Sequence, residues 1–127
     1  LAFPENFPEQ VQRADILFFH GGDDHLVQYW LKKFDLPTLW DGKVVVTSSA
    51  SSHALSHSFW TCDWRMCMGG LGILPIKFLA HYKSSYGNDD PRGPIDWEQS
   101  YETLKTYDDV QLPIHALEEG HFVVIEK

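Results

Sequence analysis

A chain of 127 residues that is 43 % hydrophobic and 14 % aromatic suits one folded domain with a substantial core, and excludes a disordered chain. Its formal net charge of −8 comes from 18 acidic and 10 basic residues with no Lys/Arg-rich stripe, which argues against nucleic acid or anionic membranes as main partners. No apolar run approaches the ~20 residues of a membrane-spanning helix, so a cytoplasmic protein is expected.

The segment up to Glu9 carries two prolines and reads as irregular, with Gln10 to Arg13 as the end of a short helix. Leu1 in place of an initiating Met points to a fragment or a processed form. Ile16-Leu-Phe-Phe-His20, stopped by Gly21-Gly22, reads as a buried strand. Asp23 and Asp24 offer N-cap chemistry, and Leu26, Trp30 and Phe34, with Val27 and Leu31, recur at helical spacing up to Pro37. Lys43-Val-Val-Val-Thr47 is a second strand, and a helix is expected from Ala50 to about Ser58. After the Gly69–Gly72 turn, Ile73 to Ala80 reads as a third strand interrupted by Pro75. Residues 84–94 are rich in Gly, Asn, Asp and Pro and read as loop. A helix starts after Asp96, and Ile114–Leu117 and His121–Glu126 read as two strands joined at Glu118-Glu-Gly120. Strands alternating with helices predict a single α/β domain with a largely parallel sheet.

Chemistry concentrates where the second strand stops. Thr47-Ser-Ser-Ala-Ser51 sets Ser49 at a strand-to-helix turn, clear of the backbone and near free N–H groups, as an acyl-transfer nucleophile requires. His81 closes the third strand, and Asp63 lies in the loop after the expected helix. In parallel sheets functional groups gather at strand carboxyl ends, so neighbouring strands would bring Ser49 and His81 together. His81 then serves as general base, with Asp63 holding the imidazole. The backbone N–H groups of Gly22 and Ala50 are candidate oxyanion donors.

Five motifs then stand in order: His20-Gly-Gly-Asp23, Thr47-Ser-Ser-Ala-Ser51, Gly70-Leu-Gly-Ile-Leu-Pro75, Ala80-His-Tyr82 and Ala116-Leu-Glu-Glu-Gly120. Across residues 14–124 this set resembles the aspartyl dipeptidase and cyanophycinase group of serine peptidases. The resemblance implies a three-layer α/β sandwich of class I glutamine amidotransferase-like (flavodoxin-like) form, with Ser49 as nucleophile and His81 as catalytic histidine. It further implies a small peptide or isopeptide substrate, aspartyl-containing, and neither metal nor organic cofactor. A homodimer is compatible with it. Two features depart from that family: Thr47 and Ser51 stand where its elbow carries glycines, and its strand and helix units before the Gly-Gly turn are absent. A sheet short of those units would leave apolar surface and unpaired strand groups exposed.

Other constellations compete. Ser48, Ser51 and Ser52 are alternative nucleophiles, and Glu118 or Glu119 could replace Asp63 as the acid. His53 and His57 share a helix face near Cys62 and Cys67, but their spacing matches no familiar zinc site, and the cysteines read as free thiols. Asp89, Asp90 and Asp96 lack the alternating ligands of a calcium loop and read as a solvated acidic segment. Arg65 and Arg92 are candidates for holding a substrate carboxylate, while Trp60 and Trp64 could wall a pocket. The alternative function is a catalytically inactive amidotransferase-like domain that binds a small ligand or partner.

Overall fold

Pro8, with its φ already suited to a first helical turn, lies in the first turn of α1 (Phe7–Arg13), so residues 7–9 of the segment read as irregular are helical. The computed structural model describes residues 5–126; residues 1–4 and the expectation of a processed Leu1 lie outside them. The chain divides into two units, 1–54 and 55–127.

In the first unit, β1 (Ile16–Phe19) and β2 (Val44–Thr47) pair in parallel, Ile16 opposite Val44 and Phe19 opposite Thr47. Parallel pairing needs a crossover, here supplied by α2 (Asp24–Leu31) and the one-turn α3 (Leu36–Leu39). The Asp23 carboxylate accepts from the Leu26 N–H at 2.9 Å, so the expected N-cap forms. The apolar stripe of α2 faces differently from expectation. Leu26 and Trp30 are exposed, and the inward stripe runs through Asp24, Val27, Gln28 and Leu31. A buried aspartate belongs to that stripe, so hydrophobicity marks the inward side only in part, through Val27 and Leu31. Nor is β1 buried on both faces: Ile16, Phe18, Val44 and Val46 line one open, apolar side of the sheet. Such surface is what a sheet with few strands leaves uncovered.

The expected helix after β2 is shorter than the sequence suggested. α4 covers Ala50–Leu55, and β3 (Ser56–Thr61) follows without a loop. In the second unit, β3 forms an antiparallel hairpin with β4 (Met66–Gly69), and β5 (Leu74–Leu79) and β6 (Ile114–Ala116) add in parallel, giving the order β4-β3-β5-β6. Helix α5 (Trp97–Thr106), capped by the Asp96 carboxylate on the Gln99 N–H at 3.0 Å, packs against this sheet. Trp60, Leu79, Ile95 and Leu104 form the core there.

Lys77 lies in the middle of β5 and is completely buried. Its ammonium donates to the carbonyls of Leu104, Lys105 and Tyr107 at 2.8, 3.1 and 2.8 Å. Three donors meet three carbonyls at the carboxyl end of α5, where helix carbonyls lack partners and the dipole is negative. The turn at Glu118–Gly120 forms, but 121–126 makes no strand, so the expected terminal hairpin is absent. The chain is thus mixed α/β, with β1–β2, β3–β5 and β5–β6 all parallel. Among the described residues no helix is long and apolar enough to cross a membrane.

Candidate functional site

Ser49 falls in the gap between β2 and α4, with a φ of 54°. A residue with a side chain adopts this left-handed conformation at a cost of about 1 kcal/mol, so the surroundings must impose it. The turn after β1 lies against it. A Cβ added to Gly21 would sit 3.0 Å from Ser49 Cβ and 3.1 Å from the Ser48 carbonyl, so a side chain there would force these neighbours to give by a few tenths of an ångström. Gly22 follows with a φ of 147°, which side chains rarely tolerate.

The residues in place of the elbow glycines are engaged. Ser51 is wholly buried; its hydroxyl accepts from the Ser48 N–H at 2.9 Å and lies 2.7 Å from the Phe19 carbonyl and 2.9 Å from that of Ser48. Thr47 Oγ1 and Ser52 Oγ are 2.7 Å apart. Ser51 and Ser52 are therefore bonded into the scaffold of the turn. The backbone N–H of His53 donates to the Ser49 carbonyl at 2.9 Å, continuing α4 back to the serine.

Sequence reasoning missed a buried pair beside this turn. His53 Nδ1 and Asp24 Oδ1 are 2.9 Å apart, with both side chains only 4 % exposed. The available signal was the helical register: Asp24, Val27 and Leu31 share one side of α2.

His81 follows the β5 end after one residue, Ala80, with a φ of 60°. Its Nδ1 lies 2.7 Å from Glu119 Oε1, and its ring stacks on Tyr86 at 4.4 Å and 11°. The Tyr86 hydroxyl donates to Asp63 Oδ1 at 2.7 Å, while Arg92 donates to the Asp63 carbonyl at 2.9 Å. The carboxylate seen on the imidazole is thus Glu119, with Asp63 reaching it by way of the Tyr86 ring. Topology explains this. β6 lies parallel beside β5, so the segments leaving both strands emerge at one end, tied by Leu117 N–H to Leu79 carbonyl and Tyr82 N–H to Leu117 carbonyl, each 3.0 Å. Asp63 sits in the β3–β4 turn.

The two arginines are held by the chain itself. Arg65 donates to the carbonyls of Pro94, Gly87 and Gly93, bracing the 87–94 loop. Arg92 forks onto both oxygens of Asp90, at 2.9 and 2.6 Å, and holds that carboxyl well below the usual carboxylate range. Trp64 is exposed, whereas Trp60 is buried and lines a cavity of about 350 Å³ with Met66, Ile95 and Gln99. No triad candidate lines that cavity. Burial pushes the Cys67 thiol up to about 11, against the pull of Lys77, so it stays protonated at neutral pH. Among the described residues no three His, Cys, Asp or Glu side chains are grouped to hold a metal ion.

Ser49, Gly22 and Ala50 belong to the first unit, and His81, Glu119 and Asp63 to the second. β2 and β5 are in different sheets, so the expectation that neighbouring strands join Ser49 to His81 does not hold. No family model matches the chain, and neither curated proteins nor solved structures gave a match.

Proposed function

We propose that the chain is a serine-type hydrolase that cleaves a small peptide or isopeptide, aspartyl-containing, with Ser49 as nucleophile and His81 as general base. One observation carries the reading: Ser49 is held at φ 54° between a strand end and a helix start, with the bare Gly21 pressed against it. That is the backbone a nucleophile elbow needs, and it persists here without the usual glycines because Ser51 ties the turn from within. The resemblance to aspartyl dipeptidases and cyanophycinases supplies the substrate class, and with it a class I glutamine amidotransferase-like arrangement; a cytoplasmic setting is proposed with it.

In this reading Glu119, rather than Asp63, accepts the Nδ1–H of His81 and orients the ring as general base. Ser49 Oγ then bonds to the substrate carbonyl carbon, and the oxyanion is met by N–H groups of Gly22 and Ala50. The C–N bond breaks as His81 returns the proton to the leaving amine. Water, deprotonated by the same ring, hydrolyses the acyl-serine and regenerates the hydroxyl. Arg65 has no substrate role in this scheme, since its guanidinium is committed to the 87–94 loop.

The test is covalent. An alkyl fluorophosphonate is expected to label the folded protein, and Ser49→Ala to abolish that labelling. Folded protein that stays unlabelled would instead be a non-catalytic binding domain.

A further inference from the structure

We infer that the buried His53–Asp24 pair is a positioning device, which with Ser51 clamps the Gly21–Gly22 turn against Ser49. Its catalytic consequence rests on the hydrolase reading; its structural part does not.

The turn is anchored at both ends to one short helix. Before it, the Phe19 carbonyl lies 2.7 Å from Ser51 Oγ. After it, Asp24 lies 2.9 Å from His53 Nδ1. Between the anchors run only His20, Gly21, Gly22 and Asp23. Ser51 and His53 both belong to α4, where the His53 N–H bonds to the Ser49 carbonyl. His53 is therefore joined through its backbone to the serine and through its ring to the turn facing it.

The chemistry of the pair suits positioning. A carboxylate and an imidazole withdrawn from water are expensive unless bonded to each other, and apolar residues of similar volume would pack there at less expense. What the pair adds is direction: a charge-assisted bond fixes both the distance and the orientation of the groups it joins. Two consecutive glycines are the most mobile backbone available, so the turn cannot hold its own N–H groups in place. Tied at both ends, it presents Gly22 to the oxyanion before substrate arrives. A misplacement of about 1 Å in such a site lowers rates on the order of 100-fold.

The experiment measures phosphonylation of Ser49 by an alkyl fluorophosphonate, resolved into a maximal rate and a half-saturating concentration, together with amide exchange by NMR. In His53→Leu the maximal rate is expected to fall at least about tenfold while half-saturation stays within about twofold, since reagent binding does not use the turn. Exchange at Gly21 and Gly22 is expected to quicken about tenfold, with amides near His81 and Glu119 unaffected. His53→Asn, whose amide can still donate to Asp24, is expected to restore both to within about threefold. A folded His53→Leu protein with unchanged rate and exchange overturns the inference, and so does failure of His53→Asn to restore them. If His53→Leu does not fold, Asp24→Asn decides: a neutral bond in the same place is expected to lower the rate about threefold, and an unchanged rate overturns the inference. A wild-type protein inert to the reagent refutes the hydrolase reading alone, and exchange at Gly21 and Gly22 then decides whether the clamp exists.

Discussion

Replacing Lys77 by methionine keeps the unbranched apolar stem, one atom shorter, but removes the ammonium. Three carbonyls at the end of α5 would lose a charged donor at 2.8 to 3.1 Å. The Leu104 carbonyl keeps the Tyr107 N–H, and a buried acceptor left without a partner costs about 1–3 kcal/mol, which puts the gross loss from the other two at about 2–6 kcal/mol. Two effects reduce it: helix-end carbonyls can recruit water, and the ammonium no longer has to be held in a dry interior. A net destabilisation of about 3 kcal/mol remains, a large share of the stability of a domain this size. It corresponds to a fall in Tm of about 10 °C. Urea unfolding followed by far-ultraviolet circular dichroism reads the change directly. Lys105→Met, at an exposed position of α5, is the control and should stay within about 0.5 kcal/mol of wild type. A Lys77→Met protein less than about 1 kcal/mol weaker than wild type would show that the three bonds contribute little beyond the packing of the stem.

Glu119→Gln should slow phosphonylation of Ser49 by about 10- to 100-fold, whereas Asp63→Asn should change it less than about threefold; the reverse order would return the acid role to Asp63. Gly21→Ala should lose about 1–3 kcal/mol by urea midpoint and slow labelling, because the new methyl meets Ser49 Cβ at 3.0 Å; a variant unchanged in both would mean the turn is slack. The Cys67 thiol ionises near 9.0 when unfolded and about 11 when folded, so its contribution is complete below pH 9 and is lost as pH rises from 9 to 11. The loss amounts to about 2 kcal/mol, and Cys67→Ala should remove that slope from urea midpoints measured between about pH 8 and pH 10.5. Parallel slopes in wild type and variant would contradict the assignment.

Local signals carried far in this chain. The Gly21–Gly22 stop, the Asp23 and Asp96 caps, the Val44–Thr47 strand and the position of Ser49 all follow from residues within a few places of one another. What stayed hidden depends on distant partners. Lys77 looks like an outward strand residue until α5 supplies carbonyls 27 to 30 residues away. Glu119 finds His81 across 38 residues through the β5–β6 pairing, although its place in the turn after an apolar strand had made it an alternative acid. Residues 56–58 read as the end of a helix, yet Ser56 and Ser58 are fully buried in β3, where the Ser56 hydroxyl donates to the Ser58 carbonyl. The inward side of α2 is only partly legible for a similar reason: Val27 and Leu31 mark it, but Asp24 is buried there because His53, from another helix, satisfies it.

The claim that Ser49 is the nucleophile has its most direct test in locating the phosphonyl group after labelling. Tandem mass spectrometry of the peptide spanning 44–60 distinguishes Ser48, Ser49, Ser51 and Ser52 by fragment mass. A single adduct on Ser49, lost when His81 is replaced by asparagine, is the expected result. An adduct on another serine of this cluster, or none on folded protein, would contradict it.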